Sequence, residues 1–145
     1  MRRAVWIAAV LFLLALAGCG RADPYALPEE PLAFETWDFT NPEDPDDGYM
    51  ALDYGGRTYL PYGIPEGRIG GHDIDRCLGY VVQDGEADPD MRIYTLSDDP
   101  DGSYLMEYYV NGNMEQPIFL RAIDTAGEEI PAPDYIDSLE YAYWE

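Results

Sequence analysis

The sequence has few of the side chains from which catalytic and metal sites are usually built. Its 145 residues include two cysteines, Cys19 and Cys77, and one histidine, His72. A structural zinc site needs four ligands, and a hydrolytic triad needs a nucleophile, a base and an orienting acid. No serine lies in a Gly-x-Ser-x-Gly elbow, and there is no glycine-rich phosphate loop. The sequence therefore predicts no catalytic residue and favours a noncatalytic domain over an enzyme.

The pair His72 and Cys77 is the one candidate for nucleophilic catalysis. If this segment enters a β-strand, five residues span about 16 Å and the two side chains point to opposite faces. We expect Cys77 to be a buried apolar side chain and His72 to lie in a loop. A small cell-envelope hydrolase is the alternative function that this pair would support.

Positive charge is also scarce. Lysine is absent, so arginine supplies all 8 basic residues against 29 acidic ones, and the formal net charge is −21. Nucleic acids and anionic lipid surfaces carry charge of the same sign and are repelled. The composition therefore predicts no nucleic-acid partner and favours cations, basic protein patches or neutral surfaces.

A long apolar run occurs only at the amino terminus. Met1-Arg2-Arg3 precedes an apolar stretch over residues 4–17. That stretch is shorter than the roughly 20 residues that a transmembrane helix needs. A basic start, an apolar centre and small residues before Cys19 are typical of an export signal. We therefore predict a signal peptide over residues 1–18.

The end of this signal carries a family resemblance. Leu16-Ala17-Gly18-Cys19 resembles the lipobox of bacterial lipoproteins at all four positions. The resemblance implies a diacylglyceryl group on the Cys19 sulfur and cleavage between Gly18 and Cys19. Two or more acyl chains hold a protein firmly to a bilayer. We therefore expect a lipid anchor in the cell membrane, with the domain on its extracytoplasmic face.

The residues after Cys19 predict a tether followed by one folded domain. Residues 19–47 are rich in proline and acid, which extend a chain, and are assigned to the tether. Residues 48–145 are assigned to a globular domain. Leu32-Ala33-Phe34 and Trp37-Asp38-Phe39 interrupt the tether with apolar side chains that could dock on the domain, so the boundary can lie anywhere between Ala33 and Gly48.

The globular region has the pattern of antiparallel β-structure. Short runs rich in tyrosine, valine, isoleucine and leucine alternate with glycine, proline and aspartate turns. We predict a mainly β domain, a small antiparallel sandwich or open barrel. Residues 55–57 join the first predicted hairpin, and the tail from Pro133 to Glu145 is interpreted as a turn followed by a strand. The predicted strands are residues 49–54, 58–62, 74–83, 91–97, 103–110 and 114–124.

The last predicted hairpin allows two registers. A three-residue loop over residues 111–113 places Met106 opposite Ile118 and gathers the apolar side chains on one face. A two-residue Asn111-Gly112 turn is the stronger local signal, but it places Met106 opposite Pro117 and scatters apolar residues over both faces. Burial favours the longer loop.

Aromatic residues point to a binding role. Tyr104–Tyr109 and Tyr141–Trp144 place aromatic side chains on both faces of predicted strands. One face can fill the core, and the other can meet a partner. We predict a noncatalytic binding or accessory domain whose partner is an envelope protein or a glycan, with an immunity or inhibitor lipoprotein as a variant. The alternative is that tyrosine packs on both sides of a thin domain with its hydroxyls in water.

Two short strings in the globular region, Arg68-Ile69-Gly70 and Cys77-Leu78-Gly79-Tyr80, resemble small uncharacterised lipoproteins of Gram-positive bacteria. That resemblance implies no activity and assigns no functional residue.

Two acidic clusters are candidates for weakly bound calcium, and no other cofactor is predicted. The first cluster alternates like the oxygen ligands of a calcium loop, but the EF-hand pattern would require glycine at Pro89. Turn chemistry also explains Asp-Pro-Asp-Gly, because aspartate caps the turn and proline presets φ. The candidate ligands are Asp84, Glu86, Asp88 and Asp90 in the first cluster and Asp98, Asp99 and Asp101 in the second.

Overall fold

The computed structural model describes residues 22–112 and 116–145. These residues are 53% strand and contain no α-helix, and the curled open sheet forms a half-barrel. The prediction of a mainly β sandwich or open barrel is confirmed. The predicted signal peptide and Cys19 lie outside the described residues. The strands are β1 (Leu32–Glu35), β2 (Trp37–Asn41), β3 (Asp44–Tyr54), β4 (Arg57–Pro65), β5 (Ile74–Gln83), β6 (Glu86–Leu96), β7 (Tyr104–Tyr109), β8 (Ile118–Ala122) and β9 (Ile136–Ser138).

The sheet curls because one short segment of chain reaches both of its edges. The strand order is β1-β5-β6-β7-β8-β4-β3-β2, with β9 beside β4. β1 and β2 are at opposite ends of this order, yet only Thr36 separates them in the chain. The Thr36 N–H donates to the Val82 carbonyl at 3.0 Å and so continues the contact of β1 with β5. The two edges of the sheet therefore meet at Thr36.

β1 pairs with β5 in parallel, whereas the other strand pairs are antiparallel. Leu32 lies opposite Gly79, where a Cβ atom would collide with the Leu32 backbone. Glycine at position 79 is thus required for the close approach of β1.

Both faces of the curled sheet are buried. The inner face carries an aliphatic core that includes Leu52, Ile93 and Leu105. The outer face carries a second core, rich in aromatic residues, which loops and the two terminal segments cover. Consecutive residues of β7 therefore alternate between two cores, and Tyr104, Leu105 and Met106 are all at most 1% exposed.

The tether prediction is wrong for residues 32–47. These residues form β1, β2 and the start of β3, and Phe34 is only 4% exposed in the inner core. A boundary at Gly48 would lie inside β3, so the structure favours the Ala33 end of the predicted range. Proline content misled the assignment, because Pro42 and Pro45 lie at the turn and outer end of an edge hairpin, where a ladder donor is dispensable.

The first predicted hairpin is confirmed, but its turn is shorter than predicted. Tyr54 pairs with Arg57, so the turn consists of Gly55 and Gly56 alone. Their φ values of 59° and 79° are both positive. Two-residue hairpin turns of the primed type need this conformation, which glycine adopts without steric cost.

The predicted register of the last hairpin is wrong. β7 and β8 pair with Met106 opposite Phe119 and with Glu107 opposite Ile118, which agrees with neither register considered. Apolar alternation could not decide between registers, because both faces of these strands are buried. Of the predicted loop, residues 111–113, Asn113 lies outside the described residues.

The other predicted strands are placed correctly, with changes at their ends. β5 matches its prediction, β6 begins five residues earlier, and β7 and β8 are shorter. In the tail the strand is β9, which comes before Leu139, and Ala142–Trp144 form a 3₁₀ helix instead of a strand. None of the described residues forms a helix that could span a membrane.

Candidate binding surfaces

Six aromatic side chains form a continuous patch where the tail crosses the β2–β3 hairpin. Neighbouring rings meet edge to face: the centroids of Phe39 and Tyr143 are 5.4 Å apart, and those of Tyr143 and Trp144 are 4.8 Å apart. Trp37 packs on Phe39 at the outer end, with ring centroids 6.0 Å apart. The aromatic patch consists of Trp37, Phe39, Tyr49, Tyr141, Tyr143 and Trp144.

Strand pairing and two tail hydrogen bonds position the patch. Phe39 lies opposite Tyr49 in the β2–β3 ladder, so their side chains share one face. The Tyr143 N–H donates to the Tyr49 hydroxyl at 3.2 Å, and the Trp144 indole donates to the Pro61 carbonyl at 2.7 Å. The tail is thereby held against the hairpin.

The inner end of the patch already holds a cation. The Arg121 guanidinium lies 5.1 Å from the ring centroids of both Tyr62 and Trp144. Its protons are donated to the Thr125 side chain and to the carbonyls of Thr125 and Glu128. The aromatic faces of this region thus accept a guanidinium when its hydrogen bonds are satisfied.

The outer end of the patch is exposed and acidic. Trp37 retains 41% of its surface in solvent. Burial, with a smaller contribution from the nearby Asp47 carboxylate, raises the pKa of the Tyr49 hydroxyl, and Asp47 also accepts the Asn41 side-chain amide at 2.9 Å. Glu140 and Glu145 are exposed and flank the tail aromatics in sequence. Aromatic rings beside carboxylates suit a cationic group.

The aromatic residues predicted to bind differ in their exposure to solvent. Tyr104 is buried in the outer core, and Tyr108 and Tyr109 are half-buried. The hairpin half of the patch was missed, because Trp37 and Phe39 fall in the predicted tether. Apolar and polar residues alternate in Trp37-Asp38-Phe39, which is the pattern of a β-strand, and this alternation could have identified both residues as part of the domain.

The amino-terminal segment, residues 22–31, lies across the outer face and is here called the strap. The Tyr25 carbonyl accepts hydrogen bonds from Arg92 Nη1 at 2.7 Å and from the Tyr94 hydroxyl at 3.0 Å. The Tyr25 ring also packs on Tyr94 and Tyr108. The strap therefore covers part of the outer core.

Two cavities adjoin the strap. One, of about 650 Å³, is lined by Tyr25, Arg68, Arg92 and Tyr108 among others. The second, of about 730 Å³, lies between the strap and the start of β5, and its lining includes His72, Arg76 and Cys77. Both volumes are in the range of small-molecule sites.

His72 and Cys77 occupy the predicted environments. Cys77 is 8% exposed, its Sγ lies 3.8 Å from the Gly79 carbonyl, and burial raises the pKa of its thiol. His72 lies in a turn, with an exposed side chain 3.2 Å from Asp73. A thiol whose pKa is raised is a poor nucleophile at neutral pH, so this geometry does not favour hydrolysis.

Three of the seven candidate calcium ligands, Asp88, Asp90 and Asp99, use their carboxylates in hydrogen bonds within the fold. Asp88 accepts the Asp90 N–H at 3.1 Å, and Asp90 accepts the Asn111 side chain at 2.7 Å. Both oxygens of Asp99 accept backbone N–H groups, from Ser103 and Tyr104. Over residues 22–112 and 116–145, no group of three or more histidine, cysteine, aspartate or glutamate side chains is placed to hold a metal ion. A calcium site at either cluster would appear as a melting-temperature shift that prefers calcium over magnesium.

Comparison of the chain with protein-family models, curated proteins and solved structures found no match.

Proposed function

We propose that this protein is a lipid-anchored, noncatalytic binding domain on the extracytoplasmic face of the cell membrane. Its partner is a basic segment of another envelope protein, which binds at the aromatic patch. One observation carries the proposal: a ring series that ends in the exposed Trp37 lies on a chain whose formal net charge is −21.

The chemistry of the patch supports a cationic partner. Arginine and lysine side chains bind over aromatic faces, and exposed tryptophan is the strongest ring for this contact. Arg121 makes such contacts inside the molecule with Tyr62 and Trp144. Asp47 adds a carboxylate, and the acid excess attracts a basic segment from a distance at low salt.

A protein partner is favoured over a glycan. A neutral sugar gains nothing from the acid excess of the chain, whereas a basic segment is attracted by it. An inhibitor or immunity lipoprotein would use the same surface and differs only in the effect on its partner. A hydrolase based on Cys77 is disfavoured by the burial of its thiol.

Binding of a defined arginine-rich peptide to the mature protein tests the proposal. We expect Trp37→Ala to lower the affinity for the peptide about tenfold, which corresponds to about 1.4 kcal/mol of binding free energy. This value is within the range for cation–π contacts. Leu32→Ala is the matched control, because Leu32 is also an exposed apolar side chain, 47% accessible, outside the patch.

Added salt is expected to lower the affinity of every variant for the peptide, because the attraction between the acidic protein and the basic peptide is partly electrostatic. Equal affinity of Trp37→Ala and the unsubstituted protein would contradict the patch as the binding surface.

A further inference from the structure

The strap begins very close to the lipidation site. Only Gly20 and Arg21 separate Cys19 from Ala22, the first described residue. A chain extends at most about 3.6 Å per residue, so the Ala22 Cα lies within about 11 Å of the Cys19 Cα. The Tyr25 Cα lies within about 22 Å by the same limit. A long free tether is therefore not available.

The strap is also attached to the sheet early in its course. Hydrogen bonds from Arg92 and Tyr94 hold the Tyr25 carbonyl, and Pro24 packs against Gly71 closely enough that a Cβ on this glycine would lie 2.9 Å from the proline ring. A domain of this size has a radius of gyration on the order of 13 Å. An anchor that holds Tyr25 within about 22 Å consequently limits which side of the domain can face the bilayer.

Three of the five arginines of the described residues lie beside the strap. Arg57 is paired with Asp124 at 2.7 Å, and Arg121 is buried. The other arginines of the described residues, Arg68, Arg76 and Arg92, line the two cavities beside the strap. These linings contain three arginines and His72 against two aspartates, Asp23 and Asp75. Asp73 lies 3.2 Å from His72 and Asp90 lies 4.0 Å from Arg92, so Arg68 and Arg76 are the two exposed guanidinium groups beside the strap.

We propose that the strap side of the domain docks on the phospholipid headgroups of the membrane that holds Cys19. The exposed Arg68 and Arg76 face the headgroup phosphates, for which guanidinium groups are well suited. The acidic remainder of the domain faces away from the anionic surface, which repels it. This orientation rests on the lipid anchor of the proposed function and adds the surface that meets the bilayer.

Hydrogen exchange on the full lipidated protein tests the orientation. The protein is reconstituted in vesicles of phosphatidylcholine and phosphatidylglycerol, and its exchange is compared with that of an unlipidated Cys19→Ser protein in the same vesicle suspension. We expect severalfold slower exchange over residues 67–73 in the lipidated protein and unchanged exchange over residues 41–47. Equal exchange over residues 67–73, or protection that falls on residues 41–47 instead, would overturn the proposal.

A longer linker supplies the control for chain length. Insertion of about ten glycine and serine residues between Gly20 and Arg21 adds a span of roughly 17 Å and should restore fast exchange over residues 67–73 while the protein stays on the vesicles. Unchanged protection would overturn the argument, because chain length would then not set the orientation.

Mass spectrometry of the intact protein distinguishes failure of the lipid anchor from failure of the docking alone. A protein without lipid on Cys19 would refute both the anchor and the docking, and peptide binding at Trp37 would still be open to measurement. A lipidated protein with unprotected residues 67–73 would refute the docking alone.

Discussion

The two faces of the sheet are filled in different ways. The inner face is closed by the sheet itself, through side chains such as Leu52, Ile93 and Leu105. The outer face depends on added segments: Tyr94 is covered by the strap and Phe119 by Tyr135 of the tail region. We therefore expect the inner core to contribute most of the free energy of unfolding. The segments that cover the outer face carry the aromatic patch and the arginine-lined cavities.

The largest expected effect is on the inner core. Leu105 is fully buried, so Leu105→Ala should lower the free energy of unfolding by about 2–5 kcal/mol. Leu27→Ala removes the same atoms from a half-buried site on the strap and should cost clearly less. Urea denaturation of both variants measures the difference. Equal losses would break the contrast between the two faces.

The second prediction compares two hydroxyls of the outer face. Tyr94 donates to the Tyr25 carbonyl, so Tyr94→Phe should cost about 1 kcal/mol and speed exchange in the strap. The Tyr135 hydroxyl is buried with no hydrogen-bond partner among the described residues, so Tyr135→Phe should be neutral or stabilising. Thermal melts compare the two variants, and a larger loss for Tyr135→Phe would contradict the assignment of these hydroxyls.

The third prediction concerns a carboxylate on the inner side of β7. Glu107 lies opposite Ile93 and Ile118, and burial raises the pKa of its carboxyl. The folded state thus holds this proton more tightly than the unfolded state does. The stability that the proton provides is present below the ordinary glutamate pKa of about 4.3 and is lost as pH rises through the folded pKa.

Glu107→Gln should therefore melt like the unsubstituted protein in acid and at a higher temperature near neutral pH. Melts across this pH range provide the measurement. A variant that is less stable at neutral pH would show that the ionised carboxylate has a stabilising partner.

The smallest effect is expected from calcium. Both oxygens of Asp99 already accept backbone hydrogen bonds, so we expect calcium and magnesium to raise the melting temperature equally through screening. A shift that saturates and prefers calcium would instead indicate a site, because calcium accepts irregular oxygen cages. Melts at matched ionic strength separate the two results.

The hairpins of the fold could be predicted from sequence, but the pairing of distant strands could not. Turn residues located the hairpins, as at Gly55 and Gly56, because positive φ has a direct residue signature. The parallel pairing of β1 with β5 had no such signature, since it joins segments more than forty residues apart. Composition then assigned Phe34 and Trp37 to a tether, although each lies in a strand.

Registers and surfaces were harder to predict than strands. Alternation specifies a register when one face is polar, but β7 and β8 are buried on both faces. The predicted tail aromatics, Tyr141–Trp144, do belong to the aromatic patch, whereas Tyr49 joins it only through the hairpin and the Tyr143 hydrogen bond. Such contacts depend on long-range packing, which no local pattern records.

The most direct test of the account is a hydrogen-exchange footprint of the bound arginine-rich peptide on the lipidated protein in vesicles. The proposed division of the outer face predicts that the peptide slows exchange over residues 37–41 and 141–145. It also predicts that residues 67–73, already slowed by the membrane, do not change. Protection by the peptide over residues 67–73, with residues 37–41 unaffected, would contradict it.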